Sequence, residues 1–134
     1  MKIFLSYSEA DAKWADLLRQ GLDEAGFEVW DRATASNPGS NWHLELGRAL
    51  ERAEAMIVLL SPASVKSPWV LSEIEYALSA RQFRGRLIPV LIKPTREIPW
   101  ILQKLQFIRA TKDTAETLHR ITAALDESRV AAAS

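Results

Sequence analysis

The chain has no cysteine, no excess of charge and no long hydrophobic run, and each absence excludes a class of protein. Without cysteine it can hold neither a disulfide framework nor a thiolate metal site. The 17 basic and 17 acidic residues cancel, so the charge favours neither a nucleic acid nor a membrane surface as partner. The N-terminal apolar run turns polar at Ser6, too short for a signal peptide, and no run approaches the ~20 apolar residues of a membrane span. We therefore expect these 134 residues to form one soluble, cytoplasmic domain.

Histidine is also scarce, which leaves little material for a metal site. His43 and His119 have no carboxylate or second histidine at metal-ligand spacing on a shared helix face, so both are predicted to be surface residues. Glu45, Glu51 and Glu54 are typical of a solvated helix face. We expect no metal.

Short apolar runs alternate with segments of helical periodicity along the whole chain. Runs typical of strands covered on both faces lie at Lys2–Ser6, 27–30, Ala55–Leu60, 87–92 and 105–109. Five strands that alternate with helices predict an α/β fold, and right-handed crossovers leave few topologies. We expect a flavodoxin-like three-layer sandwich whose five-stranded parallel sheet has the order 2-1-3-4-5. Apolar residues at helical spacing predict these helix core faces: Trp14, Leu17, Leu18 and Leu22; Leu46, Ala49, Leu50 and Ala53; Val70, Ile74, Ala77 and Leu78; Leu118, Ile121 and Leu125.

Three local signals refine this outline. Ser8, with Asp11 three residues later, resembles a capping box and predicts the start of the first helix. Pro89 predicts that the fourth strand lies toward a sheet edge or contains a bulge. Residues 128–134 look like a frayed tail or the remnant of a linker, so we expect the domain to span residues 1–127.

The carboxyl ends of the strands are where such a sheet binds ligands. Tyr7 and Ser8 follow the first strand, and Asp31 follows the second. Residues 31–41 form a polar segment with the turn signal Pro38-Gly39, long for a connection between strand and helix, and long loops in compact domains are often functional. We expect Tyr7, this segment and the start of the third helix to face one cleft.

The third helix, predicted over residues 68–83, opens with an aromatic residue and a carboxylate on one face. Ser67 is a suitable N-cap, and Pro68 suits the first helical position. Trp69 and Glu73 lie about 40° apart around the helix axis, whereas Glu75 lies about 200° from Glu73. The two glutamates therefore cannot share a site. The alternative interpretation is a core tryptophan beside a solvated glutamate.

Taken together, these segments resemble a Toll/interleukin receptor (TIR) domain over residues 2–127. Their order and spacing carry the resemblance more than any single one does. They are Ile3-Phe4-Leu5-Ser6-Tyr7-Ser8 with Asp11, the strand end Phe27-Glu28-Val29-Trp30-Asp31, Pro38-Gly39, Trp42, the strand end Val58-Leu59-Leu60-Ser61, and Ser67-Pro68-Trp69-Val70 with Glu73.

This resemblance implies one of two functions. One branch of the family signals by self-assembly, and another, common in bacteria and archaea, cleaves NAD⁺ with a glutamate four residues after a tryptophan on the third helix. That pattern falls on Trp69 and Glu73. The resemblance therefore implies an NAD⁺ nucleosidase that needs no cofactor, has NAD⁺ as its substrate, and assembles with other TIR domains in a prokaryotic defence or signalling system. The alternative is a non-catalytic TIR–TIR interaction module.

The other candidate residues have roles that stay open. Tyr7 and Ser8 are candidates for the nicotinamide-ribose end, although Ser8 is already predicted as a helix cap. Asp31 is a candidate substrate ligand or an orienting residue for its loop. Trp42 and the 31–41 segment are candidates for the adenine side or, through Pro38 and Gly39, for self-association, and Trp42 is equally suited to packing.

Two other functions known on this fold are disfavoured by the residues at the strand ends. A phosphoacceptor receiver domain needs an acidic pair after strand 1 and an aspartate ending strand 3, where this chain has Ser6-Tyr7-Ser8 and Ser61. A flavin carrier needs a Ser/Thr/Gly phosphate cradle after strand 1, and that loop lacks one.

Overall fold

The computed structural model describes the backbone of residues 1–31 and 42–133 and the side chains of residues 1–31 and 44–128. Four short 3-10 helices supplement the main elements, at Glu9–Asp11, Ser64–Lys66, Arg81–Phe83 and Trp100–Lys104. The main elements, in chain order, are β1 (Lys2–Ser6), α1 (Ala12–Glu24), β2 (Glu28–Trp30), α2 (Trp42–Arg52), β3 (Ala55–Leu60), α3 (Pro68–Ser79), β4 (Leu87–Leu91), β5 (Ile108–Arg109) and α4 (Thr114–Ala133).

The five strands form one parallel sheet of order β2-β1-β3-β4-β5, which confirms the predicted topology. The central strand β3 pairs with β1 on one side and β4 on the other, and all six of its residues are buried. In the β1–β3 register Ser6 lies opposite Val58. The carboxyl end of β1 therefore lies beside the interior of β3.

Alternation along the strands divides the core into two clusters. On one face Ile3, Leu5 and Ile57 pack with residues of α1 and α4, and on the other Phe4 and Met56 pack with residues of α2 and α3. Because successive side chains point to opposite faces of a strand, Ser6 shares the face of Phe4. The last residue of β1 is thus directed toward α3.

Several element boundaries and faces differ from the prediction. Helix α3 ends at Ser79 instead of residue 83, because Ala80 adopts an extended conformation (φ −89°, ψ 128°) and a separate 3-10 turn follows. Leu17 and Leu78 were predicted to face the core but are 52% and 45% exposed. Each lies next to an apolar position that does pack, since Leu18 and Ala77 are buried. Helical spacing alone therefore made the predicted apolar stripes too wide.

The boundaries of three strands and of the last helix also differ from the predicted ones. Strand β2 begins at Glu28 and β5 at Ile108, each later than predicted, and β4 ends at Leu91. Helix α4 continues to Ala133, through most of the residues suggested as a tail. The domain limit at residue 127 stays a prediction. None of the helices in residues 1–31 and 42–133 combines the length and apolar composition needed to cross a bilayer.

Pro89 does not mark an edge strand, because β4 lies between β3 and β5. The amide of Ile92 donates to Leu60 of β3, so by alternation the nitrogen of Pro89 is directed to the β5 side. Pairing with β5 begins only at Val90. The missing N–H therefore costs no ladder hydrogen bond.

The two predicted helix caps have different outcomes. Ser67 caps α3 as predicted, because its Oγ accepts a hydrogen bond from the amide of Val70 at 3.4 Å. Ser8 is the N-cap of the 3-10 turn before α1, but its side chain makes no capping hydrogen bond. The predicted capping box is therefore wrong, because the Asp11 carboxylate is buried and accepts a hydrogen bond from Ser61 instead.

Two helical glycines differ in what a methyl group would contact, which gives a test of the α1–α4 packing. A Cβ on Gly21 of α1 would lie 2.2 Å from Cδ2 of Leu118 on α4, whereas one on Gly47 of α2 meets nothing within 4 Å. Both gain about 1 kcal/mol of helix propensity as alanine. We expect Gly21→Ala to be less stable than Gly47→Ala by about 0.5–1.5 kcal/mol in urea denaturation, because only in the first must a neighbouring side chain, that of Leu118, leave its rotamer. Equal stabilisation by both would contradict the close approach of α1 and α4.

Candidate functional site

Glu73 is buried at a position of α3 where the helix pattern calls for an apolar residue. Its side chain lies among the buried residues Val70, Ile74 and Ala77 of the same helix and is only 3% exposed. Ser6 Oγ, at the carboxyl end of β1, donates a hydrogen bond to Glu73 Oε1 at 2.8 Å. The structure therefore places this carboxylate at the sheet edge where α/β proteins bind ligands.

Ser6 is a site residue that sequence reasoning did not single out. Two signals point to it in retrospect. Ser6 shares the strand face of Phe4, and that face is the one that α3 covers. A glutamate at a core position of a helix needs a polar partner, and a hydroxyl at the adjacent strand end supplies one.

Trp69, one turn before Glu73, is 42% exposed. The alternative interpretation of this pair, a core tryptophan beside a solvated glutamate, was therefore wrong. The structure shows the reverse, with the aromatic ring partly in solvent and the carboxylate inside. Glu75, on the same helix, is exposed, as the helix geometry required.

Tyr7 and Asp31 contact each other on the α1 side of the sheet. Tyr7 Oη donates to Asp31 Oδ2 at 3.0 Å, and Tyr7 packs against the cluster that includes α1. The guanidinium of Arg19 on α1 bonds both groups and forms an ion pair with the buried carboxylate of Asp31. Sequence reasoning missed Arg19, which looks like an ordinary polar residue of α1. These contacts connect the end of β2 to the Tyr7 ring and to α1, and both roles predicted for Asp31, as a substrate ligand or as the residue that orients its loop, stay predictions.

A third polar cluster joins the ends of β1, β3 and β4. The fully buried carboxylate of Asp11 accepts a hydrogen bond from Ser61 Oγ at 2.5 Å and lies 3.4 Å from the ammonium of Lys93. Ser61 also exchanges hydrogen bonds with Ser64. Sequence reasoning assigned Asp11 to a helix cap. Its actual role is to connect the loop after β1 to the ends of two neighbouring strands.

The sheet separates these clusters by face. Glu73 and Ser6 belong to the α3 side, whereas Tyr7, Asp31 and Arg19 belong to the α1 side. All of these residues lie at the carboxyl edge of the sheet, but the two clusters lie on opposite faces of it. Ser8 is half-buried in the loop after β1.

The remaining candidates fall partly outside the described structure. Pro38 and Gly39 lie outside the described residues, so the predicted self-association loop stays a prediction. Trp42 begins α2, but its side chain and that of His43 are not described. His119 is exposed on α4. Within residues 1–31 and 44–128, no group of three or more acidic or histidine side chains is arranged to hold a metal ion.

A family model of the TIR domain matches residues 3–123. No curated protein sequence matches the chain.

Solved structures with this fold include TIR domains and one enzyme. The TIR domain of the Toll-related receptor TRR-2 from Hydra magnipapillata is 23% identical, has a TM-score of 0.72, and matches over 88% of this chain and 91% of its own. The TIR domains of the activated Roq1 resistosome are 20% identical, with a TM-score of 0.60 over 98% of this chain and 76% of theirs. A 2-deoxyribosyltransferase from Bacillus psychrosaccharolyticus is 16% identical, with a TM-score of 0.61 over 88% of this chain and 90% of its own.

At these identities the structural matches establish the shared fold, and the sequence model establishes the family. The sheet order, the residues at the strand ends and the opening of α3 agree with it. The family includes both NAD⁺-cleaving enzymes and modules that signal by association, and TIR domains commonly associate with one another. The chain belongs to the TIR domain family.

Proposed function

We propose that this TIR domain is an NAD⁺ nucleosidase that cleaves the bond between nicotinamide and ribose. The observation that carries the proposal is the buried carboxylate of Glu73, held by Ser6 at the carboxyl edge of the sheet, one helical turn from an exposed tryptophan. Family membership supplies the substrate class. The products are nicotinamide and either ADP-ribose or a cyclic ADP-ribose isomer.

The burial of Glu73 needs a reason, because an apolar residue at this position would cost less. Taking a carboxylate out of water is expensive unless hydrogen bonds replace its hydration. The Ser6 hydroxyl replaces part of it, and hydrogen bonds to charged groups contribute about 1.5–3 kcal/mol. An apolar residue would need no such partner. A pair of this kind beside a binding edge favours a chemical role over a packing role.

The reaction requires little more than one well-placed carboxylate. Nicotinamide is cationic in NAD⁺ and leaves as a neutral molecule with the electron pair of the broken C–N bond, so no general acid is needed. The ribosyl group becomes cation-like in the transition state, as in glycoside hydrolysis. Glu73 stabilises that charge and holds the ribose hydroxyls. Water then bonds to the anomeric carbon and releases a proton, giving ADP-ribose, or another nucleophilic atom of the same molecule closes the ring.

Trp69 marks the direction from which the substrate approaches. It lies on the same face of α3 as Glu73, one turn nearer the helix start, and its ring is partly in solvent. An aromatic face attracts a cationic ring, with about 0.5–2 kcal/mol according to exposure. We therefore assign Trp69 to the nicotinamide ring of NAD⁺.

The α1 side of the edge supplies further candidates. Tyr7, fixed by Asp31 and Arg19, presents a positioned phenol ring beside the end of β1, and Ser8 follows it. We assign Tyr7 and Ser8 to the ribose end of the substrate and Asp31 to positioning them. Trp42 and the segment that contains Pro38 and Gly39 are assigned to the adenine side or to contact with a second TIR domain.

Self-association belongs to the proposal, because two sides of one sheet edge do not by themselves enclose a dinucleotide. A second copy supplies the missing wall, and the resistosome structure is one in which TIR domains are part of an assembly. The fold is also compatible with chemistry at a ribosyl carbon, since a 2-deoxyribosyltransferase has it. A prokaryotic defence or signalling system is the setting we propose, by family analogy.

The role of Glu73 is tested by two substitutions on one helix. We expect Glu73→Gln to lower nicotinamide release from NAD⁺ by at least about 100-fold, because it removes the stabilising charge and keeps an oxygen for the Ser6 hydroxyl. Glu75→Gln removes the same charge from an exposed position and serves as the matched control, with activity unchanged. Release is measured by chromatography on concentrated protein, and the same traces separate ADP-ribose from a cyclic product.

The alternative functions give different results in this assay. Undiminished turnover by the Glu73→Gln variant, folded as judged by circular dichroism, contradicts the assignment of Glu73. If the unmutated protein shows no turnover even when crowded or fused to an oligomeriser, the domain is a non-catalytic interaction module.

The role of Trp69 is tested against a second exposed tryptophan. We expect Trp69→Ala to raise KM for NAD⁺ by roughly tenfold, in line with the loss of a cation–π contact. Trp69→Phe keeps an aromatic face and is expected to raise KM less. Trp100, 71% exposed in the 3-10 turn after β4, is the control, and Trp100→Ala is expected to leave KM unchanged. Equal effects of the two alanine variants would rule out a specific contact.

A further inference from the structure

A cavity lies at the opposite edge of the sheet from Glu73. Its volume is 490 Å³, and its walls come from the end of α3, the turn that follows it, the start of β4 and the segment before β5. Because α3 runs antiparallel to the strands, its N-terminal turns lie at the carboxyl edge with Glu73 and its last turn lies at the amino edge. The cavity is therefore separate from the proposed NAD⁺ site.

The charge around this cavity is of one sign. Arg81, Arg84 and Lys104 line it, and no aspartate or glutamate does. In the part of the chain that the structure describes, none of these three cations forms an ion pair, whereas Arg19, Lys93 and Arg120 each do. The chain has no net charge, so three cations in one cavity wall, with no carboxylate among the lining residues, are a local concentration of positive charge.

The remaining wall is largely apolar. Leu78, Leu87 and Leu105 line it, and the Leu78 side chain is 45% exposed although it is apolar and large. Gly85, directly after Arg84, adopts a left-handed conformation (φ 73°), which turns the chain sharply at the rim. Pockets with apolar walls and a few convergent polar groups are typical of small-molecule sites.

From this combination we propose that the cavity binds a small organic anion, with its apolar body against the leucines and its charged group between Arg81, Arg84 and Lys104. Arginine side chains bind carboxylates and phosphates through paired hydrogen bonds, and lysine adds a point charge. Phosphate monoesters and carboxylates share this chemistry. The volume of the cavity and the single sign of its charged lining fit a small anion better than a protein segment. This site stands independently of the proposed NAD⁺ chemistry.

The test uses 1-naphthyl phosphate as the probe and isothermal titration calorimetry as the measurement. We expect the unmutated protein to bind it with a Kd of about 1 mM or tighter. Binding of 1-naphthol, which has only the apolar body, and of inorganic phosphate, which has only the charge, is expected to be at least roughly tenfold weaker. A parallel titration with 1-naphthoate distinguishes a phosphate site from a carboxylate site, according to which anion binds more tightly.

Charge-removing variants locate the binding. We expect the triple variant R81Q/R84Q/K104Q to bind 1-naphthyl phosphate at least roughly tenfold more weakly, through loss of charge-assisted hydrogen bonds. The matched control K13Q/R96Q/K112Q removes the same charge from exposed positions elsewhere and is expected to bind as the unmutated protein does.

Three outcomes overturn the proposal: no binding by the unmutated protein, equal weakening in both triple variants, or undiminished binding in R81Q/R84Q/K104Q. All of these experiments measure binding, so their results do not depend on whether the protein cleaves NAD⁺. A Leu78→Gln variant, which reduces the apolar wall at an exposed position, is expected to weaken 1-naphthyl phosphate while leaving inorganic phosphate unchanged.

Discussion

The structure depends on one constraint, that a parallel sheet covered on both faces directs successive side chains to opposite layers. In β1 this alternation sends Ile3 and Leu5 toward α1 and α4, and Phe4 toward α3. The same alternation continues past the last apolar residue. Ser6 therefore meets Glu73 on the α3 side, and Tyr7 meets Asp31 on the α1 side. The division of the polar residues at the carboxyl edge is thus a continuation of the pattern that builds the core.

The polar clusters at that edge also hold the ends of the strands together. The Asp11 carboxylate connects the loop after β1 to Ser61 and Lys93, which follow β3 and β4. The Asp31 carboxylate connects the end of β2 to Arg19 on α1. The carboxylates of Asp11 and Asp31 are fully buried, whereas the side chains of Lys93 and Arg19 are 51% and 27% exposed. Removing the cation leaves a carboxylate charge in a poorly solvated place, which costs far more than an exposed ion pair contributes. These bonds fix the carboxyl edge of the sheet, so the fold itself positions the polar side chains that lie there.

The sequence predicted the outline well and the details of the site less well, for physical reasons. Contiguous apolar runs identify strands covered on both faces, and β3 was located without error because no polar residue interrupts it. Handedness and the alternation of elements left few strand orders, and the flavodoxin-like order chosen among them is the one observed. Leu17 and Leu78 show the limit of helical spacing, which cannot tell which apolar residue at the border of a stripe stays in solvent. Ser8 shows another limit, since a capping box depends on Asp11 remaining local, and a long-range hydroxyl on Ser61 competes for that carboxylate. Arg19 and Ser6 were not singled out, because their partners Asp31 and Glu73 are distant in sequence.

The exposure of Trp69 and the burial of Glu73 are the two features of α3 that packing alone does not explain equally well. A helix that only had to pack would bury the indole, which gains from leaving water, and expose the carboxylate, which loses by it. Here the indole is 42% exposed and the carboxylate 3% exposed, on the same face and one turn apart. Both residues therefore occupy the environment that costs more. Natural sequences are locally consistent except where a requirement other than folding acts on them, and such departures concentrate at functional sites. The Ser6 hydroxyl offsets part of the desolvation cost of Glu73, because it replaces a hydrogen bond that the carboxylate would make with water. The departure that supports our proposal is the buried carboxylate at the carboxyl edge of the sheet, since a single exposed tryptophan is ordinary and Trp100 is 71% exposed.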